Sequence, residues 1–98
     1  MIRSFADQAT DDLFNGRNTS AARRACPIRL WSIVQRKLDQ LDSVVLLSEL
    51  RVPPGNNLEA LHGNRKGQYS IRINERYRIF FRWLQNEADS VEVVDYHH

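Results

Sequence analysis

Two hydrophobic periods divide the chain. Leu30, Ile33, Val34, Leu38 and Leu41 recur at helical spacing, and from Tyr69 onward apolar and polar residues alternate. The first pattern predicts an amphipathic helix beginning near Pro27, since proline fits a first turn where its missing N–H has no partner to lose. Trp31 sits at the edge of that stripe, while Arg29, Arg36, Lys37 and Asp39 fall mostly on its wet side. A shorter helix is predicted from Ala6 to Asn15, with Asp7 as N-cap and Asn15-Gly16 as its stop. Ser43 is placed to cap a third helix through Leu50, with Leu46, Leu47 and Leu50 inward. Met1 to Phe5 reads as a short strand, and Arg17 to Ala25 as a polar, basic connection. Pro53-Pro54-Gly55-Asn56-Asn57 reads as a loop between a helical half and a sheet half.

The alternation fixes faces. Tyr69, Ile71 and Ile73 oppose Ser70, Arg72 and Asn74; Tyr77, Ile79, Phe81 and Trp83 oppose Arg78, Phe80 and Arg82. Core must meet core, so Ile73 is predicted opposite Tyr77 across a loop of Asn74-Glu75-Arg76, which sets Arg72 against Arg78. For the next hairpin, around Gln85 to Asp89, the matching register sets Trp83 against Val91. It aligns Phe81 with Val93, Ile79 with Asp95, Arg82 with Glu92, Phe80 with Val94 and Arg78 with Tyr96. The expected outcome is a row of Arg72, Arg78 and Tyr96 on the non-core face.

The 98 residues suit one domain with one core. A hydrophobic share of 42% and a charged share of 27% argue for a globular chain. The net charge of +2 says little, but its distribution says more. Arg65, Lys66, Arg72, Arg76, Arg78 and Arg82 face the single acid Glu75 between positions 65 and 82, a density suited to phosphate. Cys26 is alone, which fits a reducing compartment and a small apolar role. Arg3, Asp7 and Asp11 interrupt any N-terminal apolar run, so no signal peptide is expected, and no stretch is long enough for a membrane span. The expected location is the cytoplasm.

Paired arginines on one sheet face repel, a cost that an anion between them removes. Their planar donor forks suit phosphate oxygens. Cleavage of RNA by its own 2′-hydroxyl needs a base, cations at the pentavalent oxyanion, and an acid for the leaving 5′-oxygen. His97, past the last strand, and His62, in a turn before the sheet, are residue types able to move protons near neutral pH. Three histidines without a Cys–His spacing do not make a zinc site, so neither metal nor cofactor is expected.

The order Met1-Ile-Arg-Ser-Phe, Leu38-Asp-Gln-Leu-Asp, Leu58-Glu-Ala-Leu, Gly67-Gln-Tyr-Ser-Ile-Arg-Ile-Asn, Tyr77-Arg-Ile-Phe-Phe-Arg-Trp and Val94-Asp-Tyr-His resembles the HigB-type toxins of the RelE/ParE superfamily along nearly the whole chain. The resemblance implies an α+β fold. Two to three N-terminal helices would pack on one face of a twisted antiparallel sheet of about four to five strands. It implies ribosome-dependent mRNA cleavage in the A site of the 70S ribosome and silencing by a helix-turn-helix, HigA-like antitoxin. Operator DNA would be met only through that antitoxin. By position, Arg78 matches the arginine at the scissile phosphate, and Asp95, Tyr96 and His97 match the family's C-terminal Asp-Tyr-His. His62 stands where many members have lysine, in Leu61-His-Gly-Asn-Arg65, with Lys66 as a neighbouring cation. A non-enzymatic alternative exists within the superfamily: a ParE-like inhibitor of DNA gyrase, or a degenerate toxin that only binds its antitoxin.

Overall fold

Helix α1 (Gln8–Phe14) starts where the Asp7 carboxylate accepts the Thr10 N–H at 2.8 Å. That bond satisfies one of the donors a helix start leaves open. Thr19 does the same for α2 (Ser20–Ala25), accepting from Ala22 at 3.1 Å. Pro27 leads into a 3₁₀ turn (Ile28–Leu30) and then α3 (Trp31–Ser43). Val34, Leu38 and Leu41 of α3 are fully buried, each worth roughly 1.5–3 kcal/mol of transfer free energy. The computed structural model describes residues 1–96.

After α3 comes a 3₁₀ helix (Leu47–Arg51) whose entry is held by Glu49, which accepts the N–H groups of Val45 and Leu46. The sheet follows: β1 (Glu59–Ala60), β2 (Gln68–Arg72), β3 (Tyr77–Leu84) and β4 (Glu87–Asp95). They form one antiparallel sheet in the order β1-β2-β3-β4. Ile71, Ile73, Ile79, Phe81, Val91 and Val93 join Leu13, Ala22, Leu30, Val34, Leu38 and Leu41 in one core, so the helices cover one sheet face. The fold is α+β, with four strands and three α-helices among the described residues.

Several local expectations change. Residues 17–25 contain α2, whose start is signalled only by Thr19. Ser43 closes α3 rather than opening another helix, and Leu46 is exposed. Met1 to Phe5 contributes two isolated parallel bridges to β4, Ile2 with Ala88 and Phe5 with Val91, rather than a strand. Cys26 is buried, and burial pushes its thiol up to about 11.

The β2–β3 register agrees with the parity argument. Arg72 pairs with Arg78, and the Ile73 N–H donates to the Tyr77 carbonyl at 3.0 Å. The β3–β4 register does not. Trp83 pairs with Ala88 rather than Val91, Arg82 with Asp89 rather than Glu92, Phe80 with Glu92 rather than Val94, Ile79 with Val93 rather than Asp95, and Arg78 with Val94 rather than Tyr96. The cause is a two-residue turn in which Gln85 and Asn86 both take positive φ (52° and 63°), joining Leu84 to Glu87. Mirror-image turns of this kind match the strand twist and need no wider loop. Such a turn inverts the parity of the hairpin. A β-bulge restores it: β4 uses three steps from Asp89 to Glu92 where β3 uses two, with Ser90 at φ 53°.

Candidate active site

The pairing Glu59–Ser70, Ser70–Phe80 and Phe80–Glu92 crosses all four strands in one row, on the face away from the helices. Phe80 is 2% exposed yet lies outside the main core. It is covered by the Arg65 guanidinium, 4.9 Å from its ring centre, and by the edge-on ring of Tyr96 at 5.5 Å. A concavity of about 410 Å³ opens here, lined by Glu59, Ala60, Leu61, His62, Asn64, Arg65, Phe80 and Tyr96.

The neighbouring row holds Arg72, Arg78 and Val94. Tyr96 does not complete that row, but it lies one pleat further along the same face. Its ring centre is 5.9 Å from the Arg78 guanidinium carbon. The Arg78 side chain is 11% exposed. Its Nη1 donates to Ser70 Oγ at 2.8 Å and to the Asn57 carbonyl at 3.5 Å, and its Nη2 lies 3.6 Å from the Glu59 carboxylate. Asn57 holds a left-handed backbone conformation at the close of a 3₁₀ turn (Pro54–Asn56), which turns the chain toward β1. The buried Asn56 anchors that turn by donating to Gln40, Leu50 and Val52 and accepting from Lys37.

The other basic side chains diverge. Arg65 pairs with Glu92 at 3.2 Å. Arg76 makes a two-pronged bond to Asp95 (2.8 and 2.7 Å), which holds its guanidinium still more firmly protonated. Asp95 stands opposite Tyr77, on the parity of the core face rather than that of Tyr96, and is not among the residues lining the concavity. Arg72 is half-buried, and Lys66 and Arg82 are exposed; none of the three forms an ion pair among the described residues. His62 is exposed at the rim. His97 lies outside the described residues.

Glu59 and Ser70 escaped the sequence reading, although both touch Arg78. Ser70 carried a signal, since alternation sets it on the face of Arg72. Glu59 carried almost none, because its strand is two residues long. Arg78 is not among the residues lining the concavity, but it lies beside Tyr96, which is; together, with Ser70 bonded to the guanidinium, they offer a fixed cation and a phenol to an anion. No group of three or more His, Cys, Asp or Glu side chains able to hold a metal occurs among the described residues.

Architecture and cleft together define a small α+β protein of the RelE-type fold. Its backbone overlays a chain of the YoeB-YefM complex from Staphylococcus aureus with a TM-score of 0.62, at 20% identity, covering 100% of this chain and 99% of that one. Residues 3–97 match the family described as RelE-like toxin of type II toxin-antitoxin system HigB, and the chain belongs to that family. It is 45% identical over 65 residues to Toxin HigB-1 of Vibrio cholerae, 66% of this chain and 68% of that protein. It is 28% identical over 97 residues to Endoribonuclease HigB of Proteus vulgaris, 99% of this chain and 100% of that protein.

Proposed function

We propose that this toxin is a metal-independent endoribonuclease that cuts mRNA in the ribosomal A site, within the cytoplasm. A HigA-like helix-turn-helix antitoxin silences it and carries any contact with operator DNA. The observation that carries this reading is the immobilised guanidinium of Arg78, 11% exposed, bonded to Ser70 and next to Tyr96. A pentavalent phosphorane gains most from a cation that need not reorganise as charge develops.

In this mechanism the ribose 2′-oxygen attacks its own phosphorus. A 2′-O–P bond forms, the P–O5′ bond breaks, and a cyclic phosphate and a 5′-hydroxyl result. Arg78 holds the phosphate oxygens, and His62 stands at the rim to receive the 2′-proton. His97 donates to the leaving oxygen, and Tyr96 orients the linkage. Asp95, tied to Arg76, steadies the strand end that carries Tyr96. Arg72, Arg65, Lys66 and Arg82 hold flanking phosphates, Arg65 by exchanging Glu92, while Arg76 keeps Asp95.

One observation favours a second reading. Arg65, Arg76 and Arg78 each already meet a carboxylate: Glu92, Asp95 and Glu59. A protein that only binds, whether to DNA gyrase or to its antitoxin, would keep such pairs. Induction in cells with mapping of mRNA 5′ ends, beside a gyrase supercoiling assay, separates the two. New 5′ ends on translated messages with supercoiling intact support the nuclease. Growth arrest with no new ends, or with lost supercoiling, overturns it.

A further inference from the structure

Among the described residues, Glu59 is the one acid lining the cleft; it has no part in that chemistry, and its position is specific. It lies on a two-residue edge strand, pairs with Ser70, and lines the concavity. Its Oε1 accepts from Asn57 Nδ2 at 3.1 Å and faces Arg78 Nη2 at 3.6 Å. Arg78 is therefore engaged on both prongs: Nη1 by neutral oxygens of Ser70 and Asn57, Nη2 by an anion. The partners differ in freedom, since the Arg78 side chain is 11% exposed and that of Glu59 is 49% exposed. Arg78 is fixed, whereas Glu59 can swing into solvent at little cost.

We infer that Glu59 is a specificity-determining residue: its carboxylate occupies the phosphate position of Arg78 in the free protein, and only a linkage delivered in register displaces it. The inference rests on the reading of Arg78 as the phosphate grip. A carboxylate and a phosphodiester each carry one negative charge and seek the same donor fork. A free, flexible RNA must displace Glu59 and also lose its own conformational freedom. A message already held by a larger assembly has lost that freedom beforehand. Glu59 thus biases the protein against free RNA in favour of strands presented by another body. Arg65–Glu92 and Arg76–Asp95 do not serve this purpose. Their arginine side chains are 42% and 57% exposed, so water screens the pairs before any ligand arrives.

The test is the affinity of the isolated protein for a 2′-O-methyl hexanucleotide, which cannot be cleaved, by fluorescence anisotropy. Wild type, Glu59→Gln, Arg78→Ala and the double variant are compared, with thermal melts to confirm folding. Glu59→Gln is expected to tighten binding about fivefold, the scale of a half-exposed ion pair. Arg78→Ala is expected to weaken it, and Glu59→Gln is expected to change nothing in the Arg78→Ala background. Unchanged or weaker binding by Glu59→Gln, with Arg78→Ala still weakened, overturns the inference alone. Equal tightening with and without Arg78 also overturns it, since the effect is then general charge repulsion. Wild-type binding by Arg78→Ala overturns the phosphate-grip reading, and the inference with it.

Discussion

Arg72 and Arg78 stand directly opposite each other across β2 and β3, yet of the two only Arg78 is tied to its neighbours by side-chain hydrogen bonds and an ion pair among the described residues. Arg78 is fixed by Ser70, Asn57 and Glu59, whereas Arg72 forms no ion pair among the described residues. The pair therefore predicts unequal variants. Arg78→Ala should lower single-turnover RNA cleavage by roughly 100-fold or more, the scale of losing one preorganised oxyanion donor. Arg72→Ala should lower it by less than about tenfold and relieve a cross-strand repulsion of roughly 0.2–1 kcal/mol, seen as a slightly raised urea midpoint. Equal losses of activity in the two variants would contradict the distinction.

His62 lies on the wall of the concavity with Tyr96 and Arg65. Lysine would place a permanent, flexible cation there. An ammonium protonated at neutral pH cannot take the 2′-proton, so His62→Lys should slow cleavage by roughly 100-fold or more, the scale of losing a positioned general base. Single-turnover rates across the neutral range measure this. An unchanged or raised rate would overturn that proton-transfer role and show that the site needs positive charge at the phosphorane more than a base at His62.

How far the sequence reached can be traced through the two hairpins. The β2–β3 pairing followed from parity because both strands alternate cleanly and nothing in them is bulged. The β3–β4 pairing kept the right face for Arg78, Phe80 and Val94 but placed each partner two residues too far along. Two local features cancelled in parity and so left no trace in the alternation: the tight Gln85-Asn86 turn and the Ser90 bulge. Tyr96 still reaches Arg78, diagonally rather than directly. The carboxylates that meet the arginines were less legible. Glu59 is 19 residues from Arg78, and Glu92 is 27 from Arg65, so no local pattern reports either contact. Helix α2 was missed because its six residues bury only Ala22 and so show no apolar period.

The turn itself yields a stability prediction. Gln85 and Asn86 both hold positive φ, which glutamine adopts poorly and asparagine tolerates. Replacing the pair by Asn-Gly (Gln85→Asn with Asn86→Gly) supplies the residues this turn type prefers. The double variant should be more stable by roughly 0.5–1.5 kcal/mol, the scale of relieving left-handed strain. Chemical denaturation should show a higher midpoint at unchanged slope. A lower midpoint would indicate that Gln85 makes a stabilising contact of its own.

Asp12 supplies the pH dependence. Its side chain is nearly enclosed and accepts hydrogen bonds from Gln8 (2.9 Å), Thr19 (2.7 Å) and Arg17 (3.3 Å). The bond from Gln8, then that from Thr19, then Arg17 hold its carboxyl below the usual range against the opposing effect of burial. A depressed folded value means the unfolded chain takes up the proton first as pH falls. The stabilisation is therefore fully present above the unfolded carboxyl value, about 3.9, and drains away as pH drops through the lower folded value. Asp12→Asn keeps a similar shape but has no proton to bind. It should be less stable than wild type at pH 7, and the gap should narrow steadily below about pH 4. Urea unfolding of both proteins from pH 7 to about pH 3 checks this. A gap that stays constant across that range would place the value of Asp12 in its shape and neutral hydrogen bonds rather than in its charge.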